Sequence, residues 1–100
     1  MASVLKAAQA GTLESGDIMI QVSPGEAGKG LSVELESIVM IQYGEAIRQT
    51  LQAVAQEQGV ADVQVKAVDR GALDCTIRAR FLTALSRAGV SLKGEMASCN

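Results

Sequence analysis

Histidine and tryptophan are missing from this 100-residue chain, and proline occurs once. Without histidine, a Ser-His-Asp nucleophile cannot be assembled and no His-containing zinc site can form. Tyr43 and Phe81 are the only aromatic residues. The chain therefore has no platform on which bases stack, and its core must come from Val, Ile, Leu and Ala. A net charge of −2 gives no electrostatic reason to meet nucleic acid or anionic membranes. The two cysteines, Cys75 and Cys99, do not make the framework of a small secreted domain. Cys75 falls in an apolar phase and reads as a small core residue, and Cys99, beside the C-terminus, is expected to be free. Long apolar runs are lacking as well. "IVMI" at 38–41 is far too short to span a bilayer, and "MASVLKAAQAG" carries one lysine and no leader-like stretch. The expectation is a soluble, cytoplasmic protein with no membrane and no nucleic-acid partner.

What the chain does have is apolar periodicity: 48% of its residues are hydrophobic, enough for one core. Residues 1–16 show no sustained period. "VLKAA" can make a helical turn, and "AGTLESGD" reads as a loop. "DIMIQVS" alternates, with Ile18, Ile20 and Val22 on one face, and "LSVELES" alternates again through Leu31, Val33 and Leu35. Between them "SPGEAGKG" reads as a flexible connection, so the two strands predict a hairpin. From Ser37 the period becomes helical. Met40, Gly44, Ile47, Leu51, Val54 and Ala55 share a face opposite Arg48, Gln49, Gln52, Gln56 and Glu57, with Ser37 as N-cap and Gly59 as left-handed C-cap. "DVQVKAV" and "ALDCTIRARF" alternate about a "DRG" turn and predict a second hairpin; "FLTALSRAG" closes as a short helix. The predicted fold is α+β: a small antiparallel four-stranded sheet of two hairpins, one long amphipathic helix on one face, and a short C-terminal helix. Residues 17–88 form the domain, 1–16 an N-terminal segment with a loop, and 89–100 a flexible tail.

The other sheet face would carry Gln64, Lys66, Thr76, Arg78 and Arg80, with Glu34 and Glu36 as cross-strand partners. It reads either as a solvated face with weak ion pairs or as a site where Arg78 and Arg80 hold a phosphate or an acidic partner. "SPGEAGKG" fails as a phosphate-binding loop twice, at Ser23 and at Gly30. Glu14 and Asp17 flank Ser15 closely, but wet carboxylates keep pKa values near 4, poorly matched to proton transfer at neutral pH. No self-contained active site and no metal site is visible. Taken alone, Ser15 reads either as loop chemistry or as a residue that another protein modifies.

"GTLESGD" followed by "IMIQV", "LSVELESIV", "YGEAI" and "DRGALDCTIRAR" resembles, in order, the acyl carrier (gamma) chain of citrate lyase, over about residues 11 to 88. Members commonly carry "GTLESSD"; Gly16 stands here in place of the second serine. The resemblance implies a non-catalytic carrier, not built as a four-helix acyl carrier bundle. It implies a 2'-(5''-phosphoribosyl)-3'-dephospho-coenzyme A arm on Ser15 through a phosphodiester, whose thiol carries acetyl and citryl thioesters while citrate is cleaved to acetate and oxaloacetate. It also implies partners: an alpha acyl transferase, a magnesium-dependent beta citryl lyase, a prosthetic-group transferase and an acetylating ligase. Glu14, Gly16 and Asp17 are then the flanking recognition residues, with Glu14 and Asp17 either an acidic docking feature or plain solubility. A malonate decarboxylase carrier subunit, or an unmodified interaction module of a larger complex, are the alternatives.

Overall fold

Strands β1 (Ala8–Ala10), β2 (Ile18–Pro24) and β3 (Leu31–Ser37) precede α1 (Met40–Glu57), β4 (Val63–Asp69) and α2 (Asp74–Arg87) in the computed structural model, which describes residues 3–37 and 40–92. The sheet order is β1-β2-β4-β3. β1 pairs antiparallel with β2 and β2 antiparallel with β4, while β3 runs parallel to β4 with Glu34 opposite Lys66. The α+β class and the numbers of strands (four) and helices (two) agree with expectation, and the architecture is not a helical bundle. The pairing does not agree.

Neither predicted hairpin exists. β2 and β3 are strands, but β4 lies between them, and the first hairpin is β1–β2 instead. The reason lies in α1. Its 18 residues span about 27 Å, slightly more than the roughly 23 Å of a seven-residue strand, so the chain returns to where β3 began and β4 must run parallel to it. The loop from β2 to β3 then passes over the start of β4. There the Asp62 carboxylate accepts the amides of Gly28 (3.1 Å) and Gly30 (2.9 Å). The segment read as a flexible connection is thus held to β4 by one side chain.

The second correction is α2, which takes in "DCTIRARF", read as a strand, together with the short helix expected after it. Leu73, Ile77, Phe81 and Leu85 are spaced by four, and a spacing of four satisfies both the strand period and the helix period. Leu82, Ala84 and Ala88 break the tie, because they continue the buried face at helical intervals only. Asp74 in the first turn and Arg87 in the last suit the helix dipole. Cys75, expected in the core, is therefore half-buried in the first turn of α2.

Both helices cover one sheet face. Ile18, Ile20 and Val22 of β2 and Val63, Val65 and Ala67 of β4 meet Ile47, Leu51, Val54 and Ala55 of α1 and Ile77, Phe81, Leu82, Ala84 and Leu85 of α2. Met40, assigned to the same face of α1, has its side chain outside the described set. Gly59 ends α1 with φ +64, as expected of a C-cap. Val60 N–H bonds to Ala55 O and Gly59 N–H to Gln56 O, which is the Schellman arrangement. Ser37, expected as the N-cap, instead ends β3, and its hydroxyl donates to Asp69 at 2.8 Å. At the termini Val4 and Val90 join the core, and Leu5 N–H bonds to Ala88 O. Residues 93–100, including Cys99, lie outside the described set.

Phe81 is fully buried at the centre of α2. Phe81→Ala is expected to cost about 3–5 kcal/mol in denaturant unfolding. Leu73→Ala, at a residue 71% exposed, is expected to stay within about 0.5 kcal/mol.

Candidate functional site

Residues 11–17 form the connection of the β1–β2 hairpin, with Ser15 at its tip. Gly11 closes the base, with φ +94 and its Cα so near the Ile18 carbonyl that a side chain there would collide with backbone. At the tip, Asp17 N–H bonds to Glu14 O at 3.1 Å, enclosing a β-turn with Ser15 and Gly16 as its central residues. Gly16 has φ +83, the conformation that a type II turn demands at that position. The turn is fastened to the end of β4. Gly16 N–H donates to Arg70 O at 2.7 Å, and Arg70 N–H donates to Asp17 O at 2.9 Å.

Asp17 organises the loop. Its Oδ1 accepts from Ile18 N–H (2.7 Å) and Arg80 Nε (3.0 Å), and its Oδ2 accepts from Thr12 Oγ1 (2.7 Å) and Arg80 Nη2 (3.0 Å). Thr12 Oγ1 in turn accepts from Glu14 N–H at 3.2 Å. The Asp17 side chain is 13% exposed. Burial pushes its carboxyl up, but the bonds from Arg80, Thr12 and the Ile18 amide outweigh that, and its pKa falls to about 2. A carboxylate so committed neither exchanges protons at neutral pH nor offers itself for docking. Of the two acids flanking Ser15, Glu14 alone is exposed.

Ser15 is exposed, and no hydrogen bond engages its hydroxyl among the described residues. A Cβ added at Gly16 would meet nothing within 4 Å. The attachment atom proposed by the sequence thus stands in open space on a fixed frame.

The arginines do not form the paired site weighed above. Both belong to α2, where residues two apart point about 200° apart. Arg78 bonds to Glu57 of α1 at 2.7 Å, which lowers the Glu57 carboxyl and raises the guanidinium, while Arg80 is committed to Asp17. Glu34 and Lys66 do lie on the open sheet face. They line its broad, polar hollow of about 960 Å³, together with Gln9, Gln21 and Gln64.

Four participants were not assigned these roles from the sequence. Thr12 and Arg80 hold Asp17 in place. Asp69, fully buried, accepts Gly71 and Ala72 N–H and the Ser37 hydroxyl, so that it fixes the turn leading into α2. Arg70 is the fourth, because its backbone holds the loop. Its Nε is buried with no hydrogen-bond partner, a state that costs about 1–3 kcal/mol. Beyond Arg70 an open groove of about 460 Å³ runs between α1 and the β4–α2 turn, lined by Tyr43, Ala46, Ile47, Ala72 and Leu73. Among the described residues no group of three or more acidic, cysteine or histidine side chains is placed to hold a metal.

An exposed serine on a rigid hairpin tip, in a chain of this fold, can be set against known proteins. Over 85 residues the chain is 51% identical to the citrate lyase acyl carrier protein of Serratia proteamaculans (strain 568), covering 85% of this chain and 82% of that one. It belongs to the citrate lyase acyl carrier protein family. The carrier of Streptococcus mutans serotype c is 47% identical over the same share of both chains. The family model for acyl carriers described as malonate decarboxylase delta subunit (MdcD) matches residues 5–88. A chain from the crystal structure of a Pseudomonas malonate decarboxylase hetero-tetramer in complex with malonate has the same fold, with a TM-score of 0.76, 22% identity, and coverage of 86% of this chain and 87% of that one.

Two measurements check the loop. Asp17 has its pKa lowered on folding, so its contribution is complete above the unfolded value of 3.8 and is lost as pH falls through about 2. The protection of the Gly16 and Ile18 amides, measured against the intrinsic exchange rate at each pH, is expected to stay constant from neutral pH down to about 4 and then to fall. Arg80→Met is expected to abolish that protection at every pH and to lower stability by about 1–2 kcal/mol, a figure that allows for screening of the half-exposed guanidinium. Gly16→Ser is expected to cost about 1 kcal/mol in unfolding experiments, from its left-handed φ and not from crowding.

Proposed function

We propose that this chain is the acyl carrier subunit of a citrate lyase and that Ser15 is the point of attachment of its prosthetic group. One observation carries the reading: the Ser15 hydroxyl is exposed and unengaged at the tip of a loop whose Thr12 and Asp17 side chains and turn backbone are all bonded. A residue that a second protein must modify, and that several partners must then reach, is best placed on a loop of a rigid scaffold. Activation of the hydroxyl falls to the transferase, which explains how a chain without histidine can host this chemistry.

The residues suit a phosphodiester-linked group. The surroundings of Ser15 and Gly16 are open, and an arginine with an unmet donor stands beside them. The group proposed is 2'-(5''-phosphoribosyl)-3'-dephospho-coenzyme A. When attached it supplies a thiol that holds an acyl group as a thioester, whose carbonyl stabilises an enolate better than a carboxylate does. The chain itself contributes a fixed origin for the arm. Tethering makes each delivery intramolecular, with effective concentrations on the order of mM. The partners are alpha and beta subunits that carry the transferase and lyase chemistry, the prosthetic-group transferase and an acetylating ligase. Glu14 is the exposed acidic contact for the transferase, and the setting is the cytoplasm. No helix among the described residues is long and apolar enough to cross a membrane.

A malonate decarboxylase carrier is the second reading, favoured by the description of the family model and by the shared fold. Binding to purified citrate lyase subunits, compared with malonate decarboxylase subunits, separates the two.

Co-production with the matching transferase is expected to add the mass of the group to wild-type protein, on the peptide that contains Ser15. Ser15→Ala is expected to show no adduct and no change in unfolding midpoint. An unmodified wild-type protein, with a transferase proven active on another carrier, overturns the reading, as does full lyase activity in a complex built with Ser15→Ala.

A further inference from the structure

We propose that Arg70 is the anion site of the carrier: its guanidinium holds the phosphodiester that joins Ser15 to the prosthetic group. The inference rests on the carrier reading given above. The five arginines of the chain are Arg48, Arg70, Arg78, Arg80 and Arg87. Four have occupied side chains. Arg48 donates to Val33 O, Arg87 to Gln9 O, Arg78 to Glu57, and Arg80 to Asp17. Arg70 differs. Among the described residues its side chain makes no ion pair and no hydrogen bond, and its Nε is shut away from water as well. A guanidinium N–H deprived of both protein and solvent acceptors is a donor for a ligand that the bare chain does not contain.

Its position says which ligand. Gly16 N–H donates to Arg70 O at 2.7 Å and Arg70 N–H donates to Asp17 O at 2.9 Å, so Arg70 sits across the backbone ladder from the turn that presents Ser15. Ser15 is one peptide bond from that contact. A phosphodiester on its Oγ places two unesterified oxygens and one negative charge within the reach of an arginine side chain. The Nε and Nη edge of a guanidinium matches two such oxygens with parallel N–H bonds, which a lysine cannot reproduce. Of the acids around the site, Glu14 is exposed to solvent and the other two are occupied. Asp17 is occupied by Arg80, and Asp69 by the Gly71 and Ala72 amides and Ser37. On loading, the half-buried Arg70 side chain turns its Nε edge out of its unpartnered position to the phosphate, and the arm then leaves Ser15 in a defined direction.

The test compares apo-protein with protein loaded by the transferase, attachment being verified by intact mass. The Arg70 Nε–H signal in ¹H–¹⁵N spectra is expected to shift downfield on loading, and its exchange with water to slow at least tenfold. The serine-linked phosphorus is expected to show ³¹P relaxation of a group that tumbles with the protein. In loaded Arg70→Gln that resonance is expected to narrow to the width of a mobile phosphodiester, and Arg70→Lys to restore it only in part. An Nε–H signal identical in the two forms overturns the proposal, and that comparison stands even where a variant does not fold. An unchanged ³¹P width in loaded Arg70→Gln overturns it as well. Absence of any adduct on wild-type protein is a distinct result, and it overturns the carrier reading along with this one.

Discussion

Everything in this fold is arranged around β4, which pairs with β2 on one side and with β3 on the other. Its inner residues, Val63, Val65 and Ala67, form the floor on which the helices rest, and its two ends are gripped by aspartates. At the start, Asp62 gathers the amides of the β2–β3 loop; at the finish, Asp69 gathers those of the turn into α2. The buried Asp69 carboxylate is tolerated because backbone donors and the Ser37 hydroxyl surround it, and the half-buried Asp62 holds the loop at the other end of the strand in the same manner. The Ser15 loop inherits its placement from the same strand, because Arg70, the residue after β4, supplies both backbone bonds that hold the turn.

Rigidity is the second theme. Carrier chemistry invites the picture of a floppy tip, yet residues 11–17 are braced by a bidentate Arg80–Asp17 pair, by Thr12 and by β4. The motion that delivery requires therefore resides in the arm. The Ser15 and Glu14 side chains are left out of this bracing, at the outer end of a set of bonds closed beneath them.

The sequence disclosed these features unequally. Strands β2, β3 and β4, helix α1 and its glycine cap were legible because each has one period and one reading. Residues 73–81 were not, since apolar positions four apart serve strand and helix equally, and only Leu82, Ala84 and Ala88 decide between them. Strand order was hidden for a different reason. Alternation records which face is buried but not which neighbour is paired, although the length of α1 between two strands carried an unused hint of parallel pairing. β1 is three residues long, too short for any period to register. Ser15 was found through ordered motifs and not through its own surroundings. The Asp17–Arg80 pair joins residues 63 apart, and nothing local to either reveals the other.

That long span has a consequence for how the protein comes into being. The loop's anchors arrive late in synthesis: Arg70 follows β4, and Arg80 lies in the second turn of the last helix. A growing chain that has emerged only as far as α1 carries Ser15 between β1 and β2 alone, without β4, Arg70 or Arg80 to hold the turn. The site assembles when the final helix docks. The turn is complete only in a chain that extends through α2, and a chain cut short before Arg80 lacks the guanidinium that braces Asp17.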